Sequence, residues 1–328
     1  MKQGTRLLVL SFLTTPLFFV SKSWAWGNLG HKTSAQIAWD LMDAQTRSKV
    51  SSILQKKDFV ESATWADQAR SQKPWKYTIW YHFEKAPDGF NYLDNLKQQD
   101  AETRKNGGLI QALFVAEDIL TRPDESAIDK ENAMKFLIHF IGDIHQPFHT
   151  GRPEDNGATK IKVTWLGEKL SLHHVWDTSI ILSGHSLLLE DKKEEQQVPL
   201  FANYLVKKFK VNFVNLQSLA NYDIWMQESM ERRKEGYDHK DDSEKSYTAR
   251  FSNHVDERIY LAGVRIAYTV KRILQIQATR ETTESLLSLK DSIVGIVGNF
   301  LEFVSLKPKL TSAKPSEYLA AQNYSNGL

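Results

Sequence analysis

Hydrophobic positions recur every three or four residues along most of the chain, which predicts a helical protein. Ile37, Ala38, Leu41 and Met42 share one face of a first helix that Thr33 or Ser34 can cap, and the period resumes through Val50, Ile53 and Leu54 after a break near Asp43. Asn106-Gly107-Gly108 precedes a helix expected over 109–120, closed by Arg122-Pro123. A strongly apolar helix is expected over 132–144, stopping ahead of Pro147. Residues 160–172 instead alternate with a period of two, with Gly167 at the turn, and predict one hairpin. Further amphipathic helices are expected over 200–210, 216–232, 256–276 and 281–305. The charged stretches 190–197 and 238–245 read as solvated loops, and 307–328 as a polar, frayed tail. With no internal repeat, the pattern predicts an all-α class: a mainly helical single domain over 26–276 with one small β-hairpin. A C-terminal extension, helix plus polar tail, would follow over 277–328.

The first 25 residues follow a different rule. Lys2 and Arg6 precede an apolar stretch over 7–20, and Ser23-Trp24-Ala25 places small residues at minus three and minus one. This reads as a signal peptide cleaved after Ala25, since the stretch is short for a span of about 20 residues. No later segment is long and apolar enough for a span either, so no stable membrane insertion is expected.

Composition sharpens this picture. At 41% hydrophobic and 25% charged the chain is ordinary globular material, which excludes disorder, collagen and simple coiled coil. Losing Lys2, Arg6 and Lys22 with the leader moves the formal net charge from +2 to −1. No broad basic field is left, so nucleic-acid binding would rest on metal or a few local basic groups. The absence of cysteine excludes a disulfide framework and thiolate-held zinc; any metal must sit on nitrogen and oxygen. In an exported chain it also points to a bacterial product, periplasmic or secreted.

Ten histidines supply the candidate ligands. His139 and Asp143 stand four apart on a predicted helix and so share one face, and Gly142 beside them is expected to let another backbone approach. His173 and Asp177 repeat that spacing next to Trp176, and His149 follows Pro147 with His145 upstream. One such pair is weak evidence. Two within 139–177, each among large apolar groups, are stronger, because a buried imidazole or carboxylate needs a partner. Trp65-Ala66-Asp67 with Arg70, and Tyr81-His82-Phe83, are further candidates. Cleavage ahead of Trp26 would expose an α-amino group with a pKa of about 8, able to yield its proton to a metal. The Trp26 carbonyl could complete a chelate, and His31 could close on the same ion.

Trp26…His31, Trp65-Ala66-Asp67…Arg70, His82-Phe83, His139-Phe140-Ile141-Gly142-Asp143, Gln146-Pro147…His149 and His173-x-x-Trp176-Asp177 together resemble the fungal S1/P1 nuclease family. Its members are zinc-dependent, single-strand-specific type I nucleases related to bacterial zinc phospholipase C. The resemblance runs from Trp26 to about Ala267, taking in Ala262-Gly263-Val264-Arg265-Ile266-Ala267, and leaves out the tail beyond about Ile276. It implies a phospholipase C/P1 nuclease-like helical fold with three zinc ions per chain. By the family pattern Asp67, His82, His139 and Asp143 hold the first, and His149, His173 and Asp177 the second. Trp26, through its amine and carbonyl, and His31 hold the third, which Asp143 bridges to the first.

The activity implied is hydrolysis of single-stranded DNA and RNA to 5′-phosphate products, together with 3′-nucleotidase action. Asp67 would orient the attacking water, Arg70 would neutralise charge on the phosphoryl oxygens, and Phe83 would stack a splayed base. His145 and His174 match no ligand position and read as supporting or surface residues. Two departures touch the base site: Lys85 stands where the family often has Asp, and Gly157-Ala158-Thr159 where Gly-Gly-Asn is usual. They imply an altered or relaxed base preference. A zinc phospholipase C is the enzymatic alternative, though Asp177 replaces the Glu typical of those lipases. A non-catalytic exported zinc-binding protein, using 281–328 to interact, is the other. Against it, structural zinc is normally closed by four protein ligands. No protein partner is inferable.

Overall fold

Asp43 divides the first two helices where the apolar period breaks. Its carboxylate accepts from Thr46 N at 2.8 Å, ending α1 (Asn28–Leu41) and starting α2 (Ala44–Ile53). α1 begins at Asn28, however, and not at Thr33 or Ser34. Gly27 N–H is held by the Asp177 carbonyl at 2.9 Å, which fixes the entry five residues earlier, and Ser34 Oγ turns back onto His31 O inside the helix. The computed structural model describes residues 26–91, 107–210, 221–239 and 242–288. The leader expected at 1–25, residues 216–220 of one expected helix, and the chain from 289 through the tail lie outside them.

Short helices α3 (Phe59–Ser62) and α4 (Trp65–Ala69) lead into a 3₁₀ run, Lys73–His82. α5 (Leu109–Thr121) and α6 (Ala127–His145) follow; Ser126 caps α6 by accepting from Asp129 N, so α6 starts five residues ahead of the expected 132. A 3₁₀ turn, Pro147–Thr150, ends it. The hairpin is β1 (Lys162–Trp165) antiparallel to β2 (Glu168–Ser171), with Val163 opposite Leu170. Its turn residues, Leu166 and Gly167, both have positive φ, 48° and 82°, the geometry whose twist suits a two-residue hairpin. α7 (Leu172–His174) passes through a π turn, Val175–Ser179, into α8 (Ile180–Gly184) and α9 (Ser186–Leu189). Then come α10 (Glu194–Phe209), α11 (Tyr222–Gly236) and the long α12 (Glu244–Ser288). Among the described residues the protein is mainly helical with one small two-stranded sheet, as the pattern predicts.

Two expected loops are partly helical. The charged stretch 190–197 contains the first turn of α10, where Gln196 accepts from Lys193 N at 3.2 Å and Glu194 pairs with Lys32 at 2.6 Å. Those charges serve a helix start, where carboxylates are favoured. α12 starts at Glu244, well before 256, because Tyr247, Phe251 and Val255 bury a stripe four residues apart between charged neighbours. It then runs unbroken past 277, the position at which the extension was expected to begin.

Two apolar cores flank the middle of the molecule. One joins α5, α6, α11 and the second half of α12 around Phe136, Phe140, Trp225 and Ile266. The other joins Trp26, Phe148, Trp176, Phe201 and Tyr260 from the N-terminal segment, α10 and the first half of α12. α1 packs along α12 and against α6. α6 is buried almost throughout, yet Glu131, Lys135, His139 and Asp143 fall four apart on it. That spacing draws one polar stripe through the interior. Among the described residues no helix is long and apolar enough to cross a membrane.

Candidate metal centre

The polar stripe of α6 ends in His139 and Asp143, both with no exposed surface. The 3₁₀ run delivers His82 to the same point. His82 Nδ1 lies 3.1 Å from Asp143 Oδ2 and 3.0 Å from His139 Nε2, and His139 Nε2 lies 3.2 Å from Asp143 Oδ2. α1 brings His31, whose Nε2 is 3.3 Å from Asp143 Oδ1 and whose ring stacks on His139 at 3.9 Å. α4 brings Asp67, within 3.7 Å of His82 and 3.9 Å of His139, and paired with Arg70 at 2.8 Å. The turn after α6 brings His149 to 3.4 Å from Asp143 and 3.8 Å from Asp177. His173 completes the set, 3.3 Å from Asp177.

Three groups of these side chains place one donor atom each within 4.8 Å of one another: His31, Asp67 and His139; His82, His139 and Asp143; and His149, His173 and Asp177. The last group is the set expected for one ion. His31 was expected with Trp26 and Asp143; it lies beside Asp143 but groups with Asp67 and His139. Trp26 is buried next to them, its indole N–H donating to Gly142 O at 2.9 Å.

The donor chemistry fits a metal. His31 Nδ1 and Nε2, His82 Nε2, Asp143 Oδ1, His149 Nε2 and Asp177 Oδ2 are all buried without a hydrogen-bond partner. Such groups are costly to bury alone. Three imidazoles are already oriented from behind: His139, His149 and His173 direct Nδ1 at the carbonyls of Ala63, His82 and Gly157, at 2.6, 2.5 and 2.6 Å. Donation from Nδ1 leaves Nε2 bare, the usual arrangement behind a metal-ligating histidine. Gln146 likewise donates to Asp177 Oδ1.

Burial is the largest influence on His31, Asp67, His82, His139, Asp143, His149 and Asp177. It pushes His82 down to about 4 and His149 down to about 3, so both imidazoles are neutral and ready to ligate. It also lowers His31. At His139 burial is outweighed by the facing Asp143 and Asp67 carboxylates, and the pKa rises. Asp143 is held well below its usual range against burial, by His139 and His149. Burial drives Asp177 well above. Asp67 is lowered despite burial, by His139, His82 and Arg70.

Phe83 and Lys85 line a small pocket with Phe148, Arg152 and Asn156, and His149 and His173 reach its wall. Its two sides are tied by Glu84 N donating to His149 O at 2.7 Å and Ala86 N to Gly151 O at 2.9 Å. Arg233, fully buried on α11, clamps the same two segments through Ala86 O and Thr150 O and pairs with Asp88 at 2.6 Å. Sequence reasoning misses Arg233, the role of Gln146 and the three orienting carbonyls. One expectation is corrected. Gly142 admits the His31 ring, not another backbone: a Cβ there would stand 2.5 Å from His31 Nδ1. Of the two readings of His145, supporting or surface, the structure excludes the surface one: it is fully buried, donating from Nδ1 to Ile141 O at 2.6 Å while Arg265 Nη1 lies 2.8 Å from Nε2. His174 is half-buried and stands outside the three groups.

Fold and site together define a helical protein with a buried histidine–aspartate centre suited to metal. Residues 26–275 match the model of the S1/P1 nuclease family, and the chain belongs to that family. It is similar to nuclease S1 of Aspergillus oryzae, 35% identical over 194 residues, 56% of this chain and 64% of that one. Endonuclease 4 of Arabidopsis thaliana is 32% identical over 188 residues, 55% and 61% of the two chains. Endonuclease 2 of the same plant is 25% identical over 290 residues, 83% and 98%. The chain thus spans just under two thirds of the length of the first two relatives.

Proposed function

We propose that the chain is an exported, zinc-dependent endonuclease that hydrolyses single-stranded DNA and RNA to 5′-phosphate ends and removes the phosphate of 3′-nucleotides. Periplasmic or secreted bacterial origin, the leader cleaved after Ala25 and three ions per chain belong to the same reading. The observation that carries it is the set of buried donor atoms without a hydrogen-bond partner on five convergent residues, His31, His82, Asp143, His149 and Asp177, in a chain of this family. Relatives named as nucleases support the substrate class.

His and carboxylate donors suit zinc. Asp67, His82, His139 and Asp143 would hold one ion, and His149, His173 and Asp177 a second. His31 and the Trp26 main chain would hold the third. When bound, the ions supply Lewis acidity to the phosphoryl group and make water more acidic. The protein does the rest by placement. Asp67, fixed by Arg70, presents a carboxylate that can take the proton of the attacking water. Arg70 stands beside it as the cation for charge building on the phosphoryl oxygens. Phe83 offers a ring face that any unpaired base can stack on, which favours single strands. Lys85 and Arg152 line that pocket as cations and donors.

The test is metal analysis of the chain beginning at Trp26, with assays on single-stranded DNA, RNA, a 3′-nucleotide and phosphatidylcholine before and after chelation. Chelator-sensitive hydrolysis of the nucleic acids is expected. Turnover of the lipid alone, or hydrolysis indifferent to chelation, would overturn the proposal.

A further inference from the structure

The metal-ligand candidates open onto two cavities. His149 and His173 face the Phe83 pocket, while Asp67 and Asp177 line a separate groove of about 500 Å³. That volume falls in the range of about 300–1,000 Å³ typical of ligand sites. The groove is bordered by Asn28 from α1, Gln68 and Arg70 from the α4 region, Thr178 from the π turn, Leu182 from α8 and Gln197 from α10. The side chains of Asn28, Gln68 and Thr178 make no hydrogen bond among the described residues, and Gln68 and Leu182 are exposed. Its one aromatic ring is the imidazole of His174, in contrast to Phe83 and Phe148 in the other pocket.

A phosphodiester carries two organic arms at its phosphorus, and a 3′-mononucleotide carries one. Two cavities that meet at one set of metal-ligand candidates match the first geometry. We infer that the groove receives the nucleotide on the far side of the scissile phosphate from the base stacked on Phe83. This rests on the nuclease reading above. The lining gives the site its character. Beyond Asp67 and Asp177, the lining offers neutral amides and hydroxyls, the Arg70 guanidinium, and Glu194, whose charge Lys32 pairs at 2.6 Å. The amides, hydroxyls and guanidinium can bind sugar and phosphate oxygens, and the Leu182 shelf supports a base without reading its edge. The groove therefore makes the enzyme prefer polymers over monomers, and it adds no base preference of its own.

Gln68 is exposed, so its substitution leaves folding intact. Gln68→Glu sets a carboxylate where a substrate phosphate or sugar passes. The ratio of kcat/KM on a dinucleotide to that on a 3′-mononucleotide is expected to fall about tenfold, a 1.4 kcal/mol effect. An unchanged ratio would overturn the inference. A readout independent of turnover uses the absence of native cysteine. In Gln68→Cys, an oligonucleotide with hydrolysis-resistant linkages should slow alkylation by iodoacetamide about tenfold, and a 3′-mononucleotide should not. Equal protection by both, or none by either, counts against the groove. Should the wild type hydrolyse no phosphoester at all, the nuclease reading falls, while the protection experiment still decides the groove.

Discussion

Gly142 and His31 meet so closely that a methyl group on Gly142 would lie 2.5 Å from His31 Nδ1 and 2.8 Å from Cε1. The ring has nowhere to go, because His139 stacks on it at 3.9 Å with only 16° between the planes. Gly142→Ala should therefore displace His31 while adding overpacking of about 1–3 kcal/mol. Loss of one metal equivalent by elemental analysis, with the helical circular dichroism retained, is the expected outcome. Full stoichiometry in the variant would show that His31 holds no ion.

That contact also marks how far the sequence can be read. The α6 face was legible because His139 and Asp143 lie four apart on a continuous apolar helix, and so was the hairpin at Gly167. The convergence of α1, α4 and the 3₁₀ run on that face came from the family resemblance, since periodicity says nothing about which helices meet. Arg233 was illegible for a different reason. It sits beside Arg232 in one charged run, and only packing makes one fully buried and leaves the other partly exposed. The carbonyls of Ala63, His82 and Gly157 are invisible in principle, because every residue has one. The early start of α12 was missed because Tyr247, Phe251 and Val255 are separated by Thr248-Ala249-Arg250 and Ser252-Asn253-His254, within a stretch flanked by Lys245 and Asp256.

The buried imidazoles give the metal-free protein a pH dependence. His82 and His149 ionise at about 4 and about 3 in the folded state, against about 6.5 when unfolded. Below pH 6.5 the unfolded chain takes up these protons first, so stability falls as pH drops towards those values. At about 1.36 kcal/mol per pH unit, His82 alone contributes about 3 kcal/mol, fully present above 6.5. His139, raised by Asp143 and Asp67, works in the opposite sense and removes part of this. In the presence of a chelator the melting temperature should drop steadily from pH 7 to pH 4. A melting temperature flat across that interval would mean that these rings are not buried as neutral groups.

Asp143 and His145 share a helix turn but should fail differently. Asp143 faces His31, His82, His139 and His149 at 3.1–3.4 Å, so Asp143→Asn removes a charge from the centre of the ligand set. His145 faces away, against Trp225, where Arg265 and Arg258 tie the end of α6 to Glu228. Asp143→Asn should lower metal content and activity by at least about tenfold. His145→Ala should keep its metal and lose about 2–4 kcal/mol of stability through a cavity and an unpaired donor. Similar metal contents in the two variants would contradict this division.

Arg233 donates to the carbonyls of Ala86 and Thr150 and pairs with Asp88, with none of its own surface exposed. Replacing it with Met strands two buried acceptors, which costs about 3–5 kcal/mol. Since the clamp spans both walls of the Phe83 pocket, KM should rise more than kcat falls. Urea denaturation and steady-state kinetics on a short oligonucleotide would measure the two effects. A variant as stable as the parent would mean that the guanidinium is dispensable.

The strictest demand on the metal reading concerns Trp26. Its indole N–H is fixed to Gly142 O at 2.9 Å, and the next residue, Gly27, donates its N–H to Asp177 O at 2.9 Å. The main chain of Trp26 is thus held between two segments that carry ligand candidates, and the family match begins at the same residue. If Trp26 is the mature terminus, its amine is a primary amine and can donate a lone pair; with any residue ahead of it the nitrogen becomes an amide and cannot. One added Gly before Trp26 should therefore lower metal content by one equivalent and remove most activity, with the melting temperature in chelator unchanged. The comparison isolates the amine, since the added residue leaves every side chain in place. Equal metal content and equal rates in the extended and native-start proteins would show that the terminal nitrogen plays no part in the site.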